Sequence, residues 1–368
     1  MWESTICTAF KAHENGVTRT APIPMPLNVT RSAFVRLLLL AAGIGPLTAA
    51  QAQAQPPIVI KFSHVVATDT PKGKAADHFA RRAAELTGGK VRVEVFPNSQ
   101  LYRDKEEMEA LQLGAVQMLA PSLSKFAPLG VKEFEVFDLP FIFDNPQELQ
   151  KVTNGPVGQA LLGKLETRGI TGLAYWNNGF KVMSANRPLK TVADYQGLRM
   201  RIQSSKVLGA QMRALKATPQ VLAFSETYAA LQNGSVDGTE NPPSNLYTQR
   251  MHEVQKHVSL TYHGYLGYAV VVNKRFWDGL PKDIRAALTQ AMAEATQVAN
   301  ESASKDNQAA LVAIRASGKT QIHQPSAAER AQLKAALLTV HKEMAGRIGD
   351  ETIQDIYQAT GFHAPRPH

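Results

Sequence analysis

Nine residues in the middle of the chain, ALQNGSVDG at 230–238, almost repeat ALQLGAVQM at 110–118, and each copy sits where a helical pattern gives way to a strand. No other feature restricts the fold as much, because each copy closes a run of alternating strand and helix. In the first run, IVIKFSHVV (58–66) reads as a buried strand. TPKGKAADHFARRAAELTGG follows as a helix, with Thr70 at its cap, Pro71 in the first turn and Gly88 past its end. KVRVEVF (90–96) alternates as a strand, RDKEEMEALQLG reads as a helix and VQMLAP as a strand. The order β-α-β-α-β calls for a sheet covered by helices on both faces.

The second run is built alike, with strands ITGLAYW and LRMRIQ, helices SSKVLGAQMRALKA and FSETYAALQNG, and SVDG opening a strand. Pro281 to Gly318 form one long helical pattern with Ile284, Leu288, Met292, Ala295, Ala299, Leu311 and Ile314 near one face. Two more helices fill 325–360, and APRPH ends the chain as a loose tail. In open α/β sheets ligands sit beyond the carboxyl ends of strands. Two such units facing each other therefore put Ser122, in APSLS after the first copy, and Asn241, in TENPPSN after the second, on opposite walls of one cleft.

The stretch MPLNVTRSAFVRLLLLAAGIGPLTAAQAQAQPP has a basic front (Arg31, Arg36), an apolar run from Leu37 broken by Pro46, and small residues at Ala52-Gln53-Ala54. This is the pattern of a secretory signal peptide, and its apolar run is shorter than the roughly 20 residues a membrane-spanning helix needs. Residues 1–24 fit neither signal nor fold, which places the expected start of translation at Met25 and the leader at 1–54. Removing the leader removes the only cysteine, Cys7, so neither disulfides nor thiol chemistry are expected in an oxidising compartment such as a periplasm. It also takes away four basic and two acidic residues, lowering the formal charge from +9 to +7. A modest positive excess without basic clusters or interleaved aromatics argues against nucleic acid and suits small anions.

Nucleophile elbows, phosphate loops, dinucleotide fingerprints and zinc-finger spacings are missing. HEVQKH places His252 and His257 five apart, whereas ligand pairs on one helical face need four, so a solvated helical segment is expected there. His78 lies on a helix and reads as structural. The sharper candidates are cations near strand ends. In LRMRIQSS, Arg199 and Arg201 leave the apolar face together, and periodicity does not choose between them. Arg201 is nearer the strand's carboxyl end, just before Ser204 and Ser205 cap a helix whose first amides favour an anion. Arginine's planar fork matches a carboxylate. Lys72 lies in the first turn of a helix, where a cation opposes the helix dipole and a bound anion would account for it. Lys181 in NNGFKVMSANRPL is a further candidate, while Phe224 and HGYLGY (263–268) are candidates for the cleft wall.

Together, SHVVATDTPKGKA, APSLSKF, NNGFKVMSANRPL, GLRMRIQSSKVLGAQMRAL, AFSETYAALQNGSVDGTENPPSN and HGYLGYAVVVNKRFWDGLP resemble the solute-binding proteins of tripartite ATP-independent periplasmic (TRAP) transporters, in particular their C4-dicarboxylate branch. The resemblance implies a two-lobed α/β periplasmic-binding-protein fold with crossing strands, a long helix connecting the lobes and a ligand cleft between them. It implies a first lobe of 55–178 plus 267–306 and a second of 179–266 plus 307–368. The family's carboxylate-clamping arginine falls on Arg201, its asparagine ahead of proline on Asn241 and its ligand-packing ring on Phe224. A second cation falls on Lys181 and a polar residue of the first lobe on Ser122. Gln203, Ser204, His64, Lys72 and His263 are implied as further contacts. Tyr262 departs from the Asn or His expected there. The implied role is a periplasmic receptor, not an enzyme, that needs no cofactor or metal. It passes malate, succinate or fumarate to the small and large permease subunits without inserting in the membrane after leader cleavage. A TRAP receptor for another organic acid, a ligand-presenting sensor subunit and a secreted enzyme on the same scaffold are the competing readings.

Overall fold

The computed structural model describes residues 56–363. The expected leader with Cys7 and the tail 364–368 lie outside the described residues. Along the chain run β1 (Ile58–Ser63), α1 (Pro71–Leu86), β2 (Val91–Phe96), α2 (Glu107–Gln112), β3 (Met118–Leu119), α3 (Pro146–Thr153), α4 (Pro156–Lys164) and β4 (Ile170–Ala185). Then come β5 (Arg199–Ile202), α5 (Lys206–Ala214), β6 (Thr218–Val221), α6 (Thr227–Gln232), β7 (Gly238–Asn241), α7 (Pro243–Thr248) and β8 (His257–Asn273). The last elements are α8 (Lys274–Asp278), α9 (Lys282–Ala316), β9 (Gln321–His323), α10 (Ala327–Ile348) and α11 (Asp350–Thr360).

The strands form one nine-stranded sheet in the order β2-β1-β3-β8-β4-β7-β5-β6, with β9 beside β8. Read from either edge the order is the same under an exchange of β1-α1-β2-α2-β3 with β5-α5-β6-α6-β7 and of β4 with β8. This is the physical content of the repeated nine residues. In both copies a short helix, α2 or α6, ends and a glycine takes positive φ, +78° at Gly114 and +74° at Gly234. A strand then runs parallel to the first strand of its own unit, β3 along β1 and β7 along β5.

At the centre the antiparallel strands β4 and β8, 16 and 17 residues long, carry the sheet from one half into the other. β3 joins the carboxyl end of β8 through Met118 and Val272, and β7 joins that of β4 through Asn241 and Val182. ITGLAYW alone reads as a strand in the sequence, yet β4 continues to Ala185. Its register against β8 shifts at Asn177/Gly179 and again at Lys181/Met183, which breaks the period of two.

Helix α1 is capped as expected, the Thr70 hydroxyl accepting the Gly73 amide at 3.1 Å. Its Ala75, Ala76, Phe79 and Ala83 pack with Leu288, Ala291, Ala295 and Ala299 of α9, whose small residues let the helices approach closely. At 35 residues α9 is about 52 Å long and reaches from α1 to α7. Of its expected apolar face, Leu311 is half-buried. His78 of α1 lies 3.7 Å from Glu294 of α9. α10 packs on α5 while α11 packs on α3 and α4, so these two last helices touch both halves.

HEVQKH corrects an expectation. It is no solvated helix: Met251–Glu253 form a 3-10 turn, His252 is buried against Tyr247 with ring centroids 5.1 Å apart, and His257 opens β8. Arg250 at φ +57° starts the turn, a backbone conformation that periodicity does not register.

Candidate anion-binding chamber

The two equivalent strand ends, β3 and β7, open into the same space. Ser122 follows β3, held by a bridge to Tyr268 of β8, and Asn241 ends β7. Both line a narrow chamber together with Lys72, Lys125, Gln203 and Phe224. Beside it lies a larger cleft whose walls include Arg201, Ser204, Leu222 and Met108. Asp104, Lys125 and Gln203 border both spaces.

Arg201 is buried on β5 at 2% exposure, with Nε and Nη2 donating to the Leu222 carbonyl at 3.0 and 2.8 Å. Its guanidinium carbon is 5.7 Å from the centre of the Phe224 ring, so one short segment after β6 orients the whole fork. Burial lowers its pKa, opposed by the nearby carboxylates of Asp104, Glu240 and Glu226. Arg199, which the spacing left as an equal alternative, pairs instead with Asp237 at 2.7 Å near the surface.

Lys72 occupies the first turn of α1, where its Nζ donates to the Ala120 carbonyl at 2.9 Å and lies 3.8 Å from the centre of the Tyr268 ring. Burial, with repulsion from Lys125, brings its pKa down to about 7, Glu107 and Asp104 opposing. Ser122 donates to the Gln203 side chain at 2.5 Å, a bond between the two halves of the sheet. Asn241 is held in a run of amides: Asn178 donates to Asn245 at 3.1 Å and Asn245 to Asn241 at 3.4 Å.

Lys125 and Asp104 are members of the site that sequence reading did not single out. Lys125 donates to Asp104 and, at 2.6 Å, to Glu107. Burial opposes its charge, but these two carboxylates outweigh burial and raise its pKa. Burial likewise works against the Asp104 carboxylate, yet Lys125, Arg201 and the Phe224 amide hold its pKa at about 2. Lys125 does lie inside APSLSKF, a stretch already prominent in the sequence; Asp104 carries no local signal.

Lys181 and His263 lie elsewhere. Lys181 Nζ meets Glu240 Oε1 at 2.8 Å and His263 Nε2 donates to the other oxygen at 3.0 Å, with all three side chains at most 2% exposed. The cause is strand alternation: Glu240 and Asn241 are neighbours on β7 and leave opposite faces, so Asn241 borders the chamber while Glu240 faces the Lys181 side. His64 is buried, its pKa pulled down to about 3 by burial and by Lys72, and it borders neither space. Ser204 borders the outer cleft, while Ser205 alone caps α5, accepting the Leu208 amide at 3.2 Å. Thus Lys72, Ser122, Gln203, Phe224 and Asn241 line the chamber, Arg201, Gln203 and Ser204 the cleft, and His64, Lys181 and His263 neither. Among the described residues no group of His, Cys, Asp and Glu side chains is arranged to hold a metal, and no helix is long and apolar enough to cross a membrane.

Buried cations beside neutral amides and a hydroxyl, gathered where two equivalent α/β halves meet on crossing strands, define a two-lobed solute receptor suited to a small anion. The chain belongs to family 7 of the bacterial extracellular solute-binding proteins, the DctP family, whose model matches residues 62–347. It is 64% identical over 304 residues to the C4-dicarboxylate-binding periplasmic protein DctP of Rhodobacter capsulatus, covering 83% of this chain and 91% of that one. A TRAP periplasmic solute binding protein from Sulfurospirillum deleyianum, solved with bound succinate, superposes with a TM-score of 0.80 at 46% identity, covering 82% of this chain and 99% of that one. One from Pseudomonas aeruginosa with bound L-malate superposes with a TM-score of 0.76 at 45% identity, covering 78% of this chain and all of the other.

Proposed function

We propose that this protein captures a C4-dicarboxylate such as malate, succinate or fumarate in the periplasm and hands it to the small and large membrane subunits of a TRAP permease. The observation that carries this reading is the placement of two buried cations in adjoining spaces, Arg201 in the cleft and Lys72 in the chamber. An acid with one charge at each end matches that pair. The succinate and L-malate found in the two related structures are compounds of this class.

In this reading the Nη end of Arg201 takes one carboxylate with Asn241 and Ser204, because its Nε side is engaged by Leu222. Lys72 and Ser122 take the other. Lys72 replaces Lys181 in that role, since Lys181 already has a buried carboxylate partner. The role is binding, not turnover: the Ser122 hydroxyl donates to the Gln203 amide oxygen, which is too weak a base to activate it as a nucleophile. Residues 1–54 act as the export leader. Thermal-shift screening tests the reading, since a ligand stabilises by about 2.7 kcal/mol at a hundred times its Kd. C4-dicarboxylates are expected to raise Tm and to be recovered unchanged. A shift only with monocarboxylates or sugar acids would overturn the assignment.

Lys72 also gives the affinity a pH dependence. A dianion favours the protonated amine, whose pKa of about 7 lies well below the ordinary 10.5. Affinity for succinate is therefore expected to fall as pH rises from about 6 to 8, with proton uptake on binding visible in calorimetry as a dependence on buffer ionisation enthalpy. Without ligand the sign reverses. Between pH 7 and 10.5 the unfolded chain holds a proton that the folded one lacks, so this group's contribution to stability grows with pH. Lys72→Met is expected to bind more weakly and without proton uptake.

A further inference from the structure

Anion capture does not account for Asp104, because a carboxylate beside Arg201 weakens that arginine's pull on a ligand carboxylate. Asp104 lies in the connection from β2 to α2, in the half of the sheet built on β1, and its side chain is 14% exposed. One oxygen takes Lys125 of the same half. The other accepts the backbone amide of Phe224, in the opposite half, at 2.5 Å. Next to it Arg103 lies 3.8 Å from Glu226, a second and more exposed contact across the same seam.

The segment that Asp104 grips is 222–224, which supplies both the Leu222 carbonyl that holds Arg201 and the Phe224 ring beside it. A carboxylate withdrawn from water is tolerated when charged and N–H partners fill its lone pairs. For Asp104 that set is complete only while the two halves are together.

We propose that Asp104 is a closure latch: a positioning residue that ties the Arg201-bearing half to the Lys125-bearing half and so slows ligand release. The proposal rests on the receptor reading above. It predicts that Asp104 acts on the dissociation rate, because its bond to Phe224 forms only after the halves meet. Asp104→Asn keeps the shape but removes the charge, and losing a hydrogen bond to a charged group is worth about tenfold or more. Stopped-flow binding of succinate should therefore show koff raised at least about tenfold, with kon changed by less than about twofold. Asp104→Glu, which retains the charge but moves the carboxylate outward, should change koff in the same direction, and it serves if the Asn variant does not fold. Hydrogen exchange at the Phe224 amide, measured in protein saturated with succinate or, where no dicarboxylate binds, with a monocarboxylate such as galactonate, reads the latch independently of which acid binds. Exchange is expected to quicken in Asp104→Asn. Unchanged exchange and unchanged koff would overturn the proposal, as would tighter binding, which would make Asp104 a competitor for the cations. Failure of the wild-type protein to bind any dicarboxylate, with Phe224 exchange still quickened by Asp104→Asn in the galactonate-saturated protein, would sink the dicarboxylate reading and leave the latch standing.

Discussion

Arg201→Ala is expected to weaken succinate and malate binding by on the order of a thousandfold in isothermal titration calorimetry. Removing one partner from an enclosed ion pair costs about 3 to 5 kcal/mol, because the remaining charge stays in a water-poor site without its counterpart. Arg201→Lys should also lose most of the affinity. A lysine can place one charge near the ligand, but it cannot bond Leu222 O through one side of a fork and present another N–H edge to the cleft. Arg199→Ala is the matched control, since its pair with Asp237 is near the surface and contributes little.

The second large effect is on folding. Glu240→Ala leaves Lys181 buried without a counter-charge and should destabilise the protein by about 3 to 5 kcal/mol in urea unfolding. Replacing both partners with apolar residues of similar volume should recover most of that loss. The pair also fixes an acid sensitivity. Burial would raise the Glu240 pKa, but Lys181 and His263 hold it at about 2, below its ordinary 4.5. Its contribution is thus present above pH 4.5 and lost as pH falls towards 2. His263 adds to the same trend: burial lowers its pKa, so the unfolded chain takes up its proton first as the solution is acidified. If Lys181 were instead the ligand's second cation, Glu240→Ala would alter affinity while leaving the unfolding midpoint nearly unchanged.

Much of the architecture could be read from local signals. The repeated nine residues foretell the exchangeable halves of the sheet, and Thr70 and Ser205 mark helix starts through side chains that reach only three residues along. The crossing strands were harder to see. β4 and β8 pass from one half to the other through register shifts, and a bulge moves the apolar period from one face to the other, so of these two strands only the fragment ITGLAYW reads as one.

Placement at the chamber was legible where it depends on a residue's own strand or helix end, as with Ser122, Asn241 and Lys72. It was obscure where the role depends on a partner far along the chain. Nothing near Lys181 announces that Glu240, 59 residues away, takes its charge, or that Asp104 crosses 120 residues to reach the Phe224 amide. A lysine destined for a ligand and one destined for an internal carboxylate look alike until the sheet brings their neighbours together.

The most direct measurement is a crystal structure of the protein with succinate. One carboxylate is expected within hydrogen-bonding distance of the Nη atoms of Arg201 and of Asn241, the other at Lys72 and Ser122, with Lys181 still paired to Glu240. A dicarboxylate lying beyond reach of Arg201, or drawing Lys181 away from Glu240, would contradict this account.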